Sequence, residues 1–439
     1  MILLTAQISP WIRFGRTINT FDIYTGASTF TVLLYLVMLY IFDLYNTWRS
    51  YPFREIALRI GVAVGVAALF SAFIFYSLPN WKYGRGIFFI QMIMVGMFLA
   101  VWRWLFYLIF QVNGQKEDVL ILGAGLCGRT LCHLLDRTDS PYRVVGFLDD
   151  DPTKQGKVMG SPTVLGTTDQ LTQIAHLEGI KTAILAITHD RPPELICRLR
   201  NMRLRGMNIL DMPSVYEKLT GRLPIQHIRD EWLIFAPGFY LLSKEYVQKV
   251  KRVIEFGTSG LLLVLSLPLV ALTALAIRLE SRGAIFFRQT RVGKGGSVFT
   301  LWKFRSMYED AEQNGPMWAE KKDCRVTRVG KWLRLIRIDE LPQIWNVFRG
   351  EMSLIGPRPE RPEFVQKLEA KVPYYSIRHS VRPGITGWAQ VNYSYGASVE
   401  DAIQKLEYDM YYIKNMSLLL DLKILLRTIG VVFFGQGAR

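Results

Sequence analysis

Residues 253–277, VIEFGTSGLLLVLSLPLVALTALAI, form an apolar run with basic residues at both ends. Lys249, Lys251 and Arg252 precede it, and Arg278 and Arg282 follow. Lys and Arg collect on the side of a membrane from which a segment is not translocated. Like charge at both ends therefore places both ends on one side, which a straight span cannot do. Pro268 lies in mid-run, where it removes a helix hydrogen bond and favours a bend. The expectation is a re-entrant helical hairpin that turns at Ser266-Leu267-Pro268. The alternative is an ordinary fourth span with a tolerated proline.

Three earlier runs, residues 27–45, 60–78 and 87–110, each come near the ~20 residues that a membrane helix needs. Trp, Tyr, Lys and Arg flank them, as interfacial anchors do, although Arg103 falls inside the third. Pro10, Arg13 and Arg16 argue against a span over residues 1–22. No small-residue cleavage site follows an apolar core, so a signal peptide is not expected. Residues 1–112 thus read as a transmembrane region of about three spans. The 11 tryptophans fit membrane interfaces, and a net charge of +16 points to anionic partners. Cys127, Cys132, Cys197 and Cys324 lack paired spacing, which gives no disulfide framework or zinc site and implies a reducing compartment.

The pattern changes at Lys116. DVLILGAGLCGRTLCHLL reads as strand, glycine turn and helix, and YRVVGFLDDD and TAILAIT read as further strands. Residues 116–207 are therefore expected to form a Rossmann-like α/β domain with a parallel sheet. Gly123, Gly125 and Gly128 have the G-x-G-x-x-G spacing that lets a pyrophosphate approach a helix N-terminus. Asp149, Asp150 and Asp151 follow a strand, somewhat late for a ribose-binding acid. The competing reading is a turn kept for packing or partner contacts. Residues 208–248 read as a connector. Tyr240 and Lys244 share the Y-x-x-x-K spacing of short-chain dehydrogenases there, but away from any sheet-edge helix, so the match is read as chance.

Residues 249–439 carry Arg288, Arg291, Lys294, Lys303, Arg305, Arg334, Arg337, Arg358, Arg361, Arg378 and Arg382 among glycines, prolines and aromatics. Nucleic acid would account for the charge, but arginines in rigid turns suit a small polyanion such as a diphosphate better. Among them stands the acid pair Asp339-Glu340. It can be read as Asp339 at a helix N-cap with Glu340 in the first turn and Pro342 tolerated there. It can equally be read as chemistry, since an ionised aspartate beside arginines can attack a phosphoryl group. A neighbouring glutamate can hold Mg²⁺ on the diphosphate.

VFTLWKFRSM, IRIDELPQIWNVFRGEMSLIGPRPERPEF, VRPGITGWAQV and NMSLLLDLKILLRTIGVVFFGQGA resemble the bacterial sugar transferases, dense over residues 250–439. The spans and the Rossmann-like domain resemble the large, multidomain members. The resemblance implies a monotopic polyprenyl-phosphate sugar-1-phosphate transferase that starts exopolysaccharide, capsule or O-antigen assembly. It implies Asp339 as nucleophile, Glu340 as its partner with Mg²⁺, and Arg334 at the polyprenyl phosphate. It also implies Lys303 and Arg305 near the diphosphate and contacts from Arg358 to the nucleotide. Arg382 joins them as a substrate-binding candidate. Arg337 stands where members carry a small polar residue, and three spans are convincing where large members show four.

The fold class expected is thus a membrane protein: N-terminal transmembrane helices, a Rossmann-like α/β domain, a re-entrant helix and a mostly helical cytoplasmic catalytic domain. The expected setting is the bacterial inner membrane. The expected partners are polyprenyl (undecaprenyl) phosphate, a nucleotide diphosphate-sugar led by UDP-hexose, and membrane lipid. No nucleic acid is expected, and self-association is allowed for. Two other classes compete. A membrane-tethered NAD-dependent nucleotide-sugar epimerase or dehydratase would leave the C-terminal motifs idle. A non-catalytic scaffold would leave the acid pair unexplained.

Overall fold

The computed structural model describes residues 20–41, 53–77, 85–112, 116–138, 140–156, 162–187, 192–236, 245–308, 325–393 and 398–433, with isolated positions between them. Tyr240, Lys244, Cys324 and most of residues 1–19 lie outside the described residues. The chain divides into two compact units, residues 1–185 with 194–209, and residues 186–193 with 210–439.

The first unit begins with helices α1 (Thr20–Ile41), α2 (Phe53–Ser77) and α3 (Arg85–Val112). Ile60, Ala63, Val64, Ala67, Ala68 and Ser71 bury one stripe of α2. Small residues at helical spacing let neighbouring backbones approach closely. Leu69, Phe73, Phe89, Ile93 and Met97 instead point outward. Among the described residues, two helices are long and apolar enough to cross a membrane, Arg59–Ser77 and Gln248–Glu280. Thr29–Tyr40 and Phe88–Trp102 are apolar over shorter lengths.

Strands β1 (Glu117–Leu122), β2 (Tyr142–Leu148), β3 (Val164–Gly166), β4 (Thr182–Leu185) and β5 (Asn208–Asp211) form one sheet in the order β3-β2-β1-β4-β5. β1 pairs in parallel with β2 and β4, as the alternating strand and helix pattern predicts. Helices α4 (Leu126–Arg137), α5 (Leu171–Leu177) and α6 (Pro193–Leu204) alternate with the strands. Val119, Leu120, Ile121 and Leu122 are completely buried, which suits a central parallel strand covered on both faces. The glycine turn sits at the C-terminal end of this strand, where the strand order reverses.

The second unit begins with α7 (Met212–Thr220), capped by the Asp211 side chain, and α8 (Asp230–Phe235). Leu223, Ile225 and Ile228 are buried with Leu406, Met410 and Tyr375. Of the stretch expected as a connector, residues 208–248, Asn208–Asp211 is strand β5 and Leu223–Ile228 is core of this unit. Its apolar residues are too few to show a period, but they pack on the distant α14 (Val399–Lys414).

Helix α9 (Glu245–Glu280) runs 36 residues without a break, Pro268 included, so the hairpin turn expected at Ser266-Leu267-Pro268 does not form: Pro268 removes one helix hydrogen bond and the helix carries on past it. Both of its ends are tied to the same unit. Near the start, Arg252 donates to the carbonyls of Val347 (2.6 Å) and Phe348 (2.8 Å), at the end of helix α11 (Gln343–Arg349). Lys251 pairs with Asp421 at 2.9 Å, on helix α15 (Leu418–Phe433), and donates to Tyr412 Oη at 2.7 Å. Glu255 accepts from Leu354 N at 3.1 Å, on strand β8 (Ser353–Ile355). At the far end, the Glu280 carboxylate accepts from Val329 N (3.0 and 3.1 Å), in the first turn of α10 (Arg328–Leu335). Between the anchors, Leu261, Val264, Leu265, Leu272 and Leu275 are exposed.

Strands β6 (Phe286–Val292) and β7 (Val298–Phe304) form an antiparallel hairpin. Asn346 fixes α11 to its edge, donating to Thr300 O at 2.7 Å and accepting from Trp302 N at 3.2 Å. Ile277, Phe304 and Leu333 join α9, β7 and α10 in one apolar cluster. Helix α12 (Pro362–Glu369), strand β9 (Gly384–Thr386), parallel to β8, and helix α13 (Trp388–Asn392) complete the unit.

Candidate active site

Asp339 and Glu340 lie in a single 3₁₀ turn, Ile338–Glu340, between α10 and α11. The residue at its N-cap is Arg337, at φ +58°. Asp339 is therefore not an N-cap, and α11 starts one turn later, after Pro342. A left-handed arginine costs on the order of 1 kcal/mol or more, and such strain concentrates at functional sites. Here it turns two successive carboxylates inward, and both are buried.

The two acids have different surroundings. Glu340 Oε1 is 2.5 Å from Arg358 Nη2 and 3.1 Å from Lys303 Nζ. Its Oε2 lies 3.9 Å from Arg337, beyond hydrogen-bond range. Burial works to raise the Glu340 carboxyl, but Arg358 and Lys303 outweigh it and hold it far below the usual carboxylate range. Asp339 receives no hydrogen bond from a described residue. Burial first, and then the Glu340 charge, push its carboxyl up, against Lys303, Arg334 and Arg358. Burial also lowers Lys303, against the pull of Glu340. Glu340 is thus a fixed anion inside an ion-pair clamp, and the Asp339 oxygens have no hydrogen-bond donor among the described residues.

The turn that supplies Arg358 is held carbonyl by carbonyl. Pro357 O accepts from Gly384 N (2.9 Å), and Arg358 O accepts from Arg378 Nη2 (2.9 Å). Pro359 O accepts from Arg291 Nη1 (3.0 Å), and Glu360 O accepts from Val292 N (2.9 Å). Four consecutive acceptors thus meet donors from separate parts of the chain. Arg378 is buried, with its ion pair to Asp409 at 3.0 Å. Burial pushes the Asp409 carboxyl up to about 6, although Arg378 opposes it. Arg378 and Arg291 read in the sequence only as part of a basic shell, and Asp409 gave no signal at all. Nothing in their spacing points to a turn about 20 or more residues away in sequence.

The other expected site residues separate. Arg334 donates from Nε to Ser306 Oγ at 2.9 Å and adds to the positive field at Asp339. Arg305 is buried, and its guanidinium donates to Ser281 O and Arg282 O at 2.9 Å each. It fastens the end of α9 and stands outside the ion pairs of the acid turn. Arg382 lines a separate cavity with Lys294 and Arg349. Ser266, two residues before Pro268, donates to Leu263 O at 3.0 Å within α9. Glu340 keeps one carboxylate oxygen outside hydrogen-bond range of its cations. With Asp339 alongside and phosphate oxygens from a substrate, that donor set suits Mg²⁺, which favours a few carboxylates plus phosphate. Among the described residues no group of three or more His, Cys, Asp or Glu gathers to hold a metal.

The glycine turn is differently disposed. Gly123 is left-handed (φ +104°), and a Cβ on Gly128 would lie 2.0 Å from Gly123 O. These two glycines are needed for the backbone to close. Ala124 N–H donates to Asp149 Oδ2 at 2.7 Å. Lys154 pairs with the same carboxylate at 3.2 Å. Asp150 accepts from Thr168 N at 2.7 Å, and Asp151 accepts from Thr153 N at 3.0 Å. All three acids are engaged in the fold, so a ribose diol at Asp149 would have to displace the bond from Ala124 N, while the N-terminus of α4 carries no side-chain cap.

Residues 246–435 match the family described as bacterial sugar transferase, and residues 40–196 match one described as a CoA-binding domain. The chain is 45% identical over 241 residues to the UDP-N-acetylgalactosamine-undecaprenyl-phosphate N-acetylgalactosaminephosphotransferase of Aeromonas hydrophila, covering 55% of this chain and 56% of that protein. It therefore spans little more than half the length of that relative. It is 47% identical to the UDP-glucose:undecaprenyl-phosphate glucose-1-phosphate transferase of Caulobacter vibrioides, covering 43% of this chain and 71% of that one. A protein of the same name from Xanthomonas campestris pv. campestris is 29% identical, over 99% of this chain and 92% of its own length. The acid turn, the arginine turn and the hairpin of the second unit all lie inside the matched region, and the chain belongs to the bacterial sugar transferase family.

Proposed function

We propose that the chain transfers a sugar 1-phosphate from a nucleotide diphosphate-sugar, with UDP-hexose the leading donor, to polyprenyl phosphate. The observation that carries this reading is the asymmetry of the acid pair: Glu340 is clamped by Lys303 and Arg358, while the Asp339 carboxylate is left bare. An Asp339 oxygen attacks the sugar-bearing phosphorus, and the bond from that phosphorus to the bridging oxygen breaks. Nucleoside monophosphate leaves with the bonding electrons. An oxygen of polyprenyl phosphate then attacks the same phosphorus, which frees the Asp339 carboxylate and yields polyprenyl diphosphate-sugar. Lys303 and Arg358 offset the charge of the diphosphate as it is cleaved. Arg334, whose charge acts on Asp339, is the residue assigned to the incoming lipid phosphate in this reading. Glu340 and substrate oxygens would hold Mg²⁺, which when bound would neutralise diphosphate charge.

The lipid substrate requires the site to sit at a bilayer surface, and the donor is cytoplasmic. Support for an α9 that does not cross the membrane comes from its ends, which both bind the second unit. A helix that crossed the membrane would have to pull these anchors onto opposite sides. The reading therefore puts the catalytic unit on the cytoplasmic face of the inner membrane, with the exposed apolar middle of α9 embedded in one leaflet. The epimerase alternative loses support because it leaves the clamped acid turn and the matched residues 246–435 without a role.

The test is an assay with membranes, radiolabelled UDP-glucose or UDP-N-acetylgalactosamine, and undecaprenyl phosphate. Label should enter the organic phase and return to water on mild acid treatment. Label that stays in water as an altered nucleotide-sugar would favour the epimerase.

A further inference from the structure

The root of α9 carries a buried polar network that the chemistry of the acid turn leaves unused. The Lys251 ammonium meets three acceptors: the Asp421 carboxylate at 2.9 Å, Tyr412 Oη at 2.7 Å and Ile355 O at 3.0 Å. They come from α15, α14 and β8. One turn further along α9, Glu255 is buried, and it accepts from the Ser353 hydroxyl and from Leu354 N at 3.1 Å. Two hydroxyls also approach Ile355 O, Ser353 Oγ at 2.8 Å and Tyr412 Oη at 3.2 Å. Each has a single proton to give. A carboxylate is the stronger acceptor, so Ser353 gives its proton to Glu255, and Tyr412 gives its own to Asp421 Oδ1 at 2.8 Å. Lys251 is then the donor on which Ile355 O depends.

Ile355 ends β8, and Gly356, Pro357 and Arg358 follow it directly. This short link is stiff. Gly356 N donates to Thr386 O at 2.9 Å, and a Cβ on Gly356 would lie 2.4 Å from Arg382 O, so the glycine is wedged. Pro357 has a fixed φ, and its carbonyl accepts from Gly384 N at 2.9 Å. A shift of Ile355 O is therefore passed to Arg358, whose Nη2 lies 2.5 Å from Glu340 Oε1. Beyond its root, α9 presents exposed Leu261, Val264 and Leu265. The network thus ties the apolar helix to the clamp of the acid turn.

We propose that Lys251, oriented by Asp421, is a positioning residue for Arg358: its bond to Ile355 O fixes the start of the Gly356-Pro357-Arg358 turn from the root of α9. This rests on the transferase reading, in which Arg358 offsets the charge of the diphosphate.

The full-length protein in nanodiscs is assayed for lipid-linked product with undecaprenyl phosphate and UDP-glucose or UDP-N-acetylgalactosamine. In Lys251→Met/Asp421→Asn neither charge of the pair remains, and the new amide still accepts from Tyr412, so Ile355 O loses its donor. The expected result is a kcat lower by about tenfold or more, with KM for the UDP-sugar changed by less than about threefold. The same pair of changes is then made in Arg358→Gln. If Lys251 acts through Arg358, the added loss there is less than about twofold. A loss of the same factor in both backgrounds is what general loosening produces, and it overturns the proposal. So does wild-type kcat in a folded Lys251→Met/Asp421→Asn, or a loss carried by KM alone. Asp421→Asn by itself keeps the lysine and removes only the charge that orients it. Its smaller loss of kcat should likewise vanish in Arg358→Gln, and a loss that persists there counts against the proposal. Hydrogen exchange, read by mass spectrometry, needs no turnover. It should quicken over residues 353–361 in Lys251→Met/Asp421→Asn and stay unchanged over residues 212–220; unchanged exchange over 353–361 overturns the proposal. Absence of any lipid-linked product from wild type would instead sink the transferase reading, and the exchange measurement is independent of it.

Discussion

Replacing Arg378 with Gln removes a buried guanidinium with three partners. It pairs with Asp409 at 3.0 Å, where the two side chains are 7% and 2% exposed, it donates to Arg358 O at 2.9 Å, and it donates to the Tyr375 hydroxyl. Breaking a buried pair by removing one partner costs about 3–5 kcal/mol, because the other charge is left without compensation. Part of that cost is capped. Asp409 already has its carboxyl pushed up to about 6 by burial with Arg378 present, so without Arg378 it takes a proton near neutral pH. About 3 kcal/mol of lost stability is then expected, or roughly 6–12 °C in Tm for a domain of some 150–250 residues. Thermal unfolding of the purified protein reads this directly. The second consequence is separable from the first. In Arg378→Met/Asp409→Leu the charges are replaced by packed apolar groups, which restores stability in many proteins. The carbonyl of Arg358 still lacks its donor, so the turn that aims Arg358 at Glu340 stays loose. Turnover in the lipid-linked product assay should remain low in this folded double variant, by about tenfold or more. Wild-type turnover in the double variant would refute the idea that Arg378 positions Arg358. An unchanged Tm in Arg378→Gln would refute the stability argument.

Asp339→Asn should lower turnover by at least about two orders of magnitude, with no loss of Tm, because it removes a nucleophile and a carboxyl that burial disfavours; near-normal activity in the folded variant would remove Asp339 from the chemistry. Gly128→Ala should unfold the sheet unit in limited proteolysis, since its Cβ would lie 2.0 Å from Gly123 O, whereas Gly125→Ala meets nothing within 4 Å and should be neutral. Burial raises the Glu407 carboxyl to about 7, against Arg222. A folded value above the unfolded one stabilises below the unfolded pKa and is lost as pH rises through about 7, so Tm should fall between pH 5 and 8, by an amount that Glu407→Gln removes. Single cysteines at Gln248 and Ser281, in a background without native cysteines, should both resist an impermeant reagent in intact cells and both react after permeabilisation; reaction of one alone in intact cells would make α9 a span.

The sequence by itself determined the elements whose signal is local. A parallel strand buried on both faces is a run such as VLIL, and Val119–Leu122 is such a run. The glycine spacing gave the tight turn because Gly123 and Gly128 have no room for a Cβ, a constraint written into neighbouring residues. The acid pair and the Pro357-Arg358-Pro359 turn were legible because adjacency in the chain keeps their groups adjacent in space. Only the tertiary structure decided which charges meet. Glu340 pairs with Lys303, 37 residues before it, and with Arg358, 18 residues after it. Arg305 turned away to the end of α9, and Arg382 to a cavity of its own, although both belonged to the same basic pattern. Asp149 filled a donor of the glycine turn that the fingerprint left open. The physical reason is the same in each case. A charged side chain reaches about 6 Å from its backbone and is directed by burial and by the nearest satisfied partner. Those partners come from elements brought together by packing, so no period or spacing along the chain encodes them.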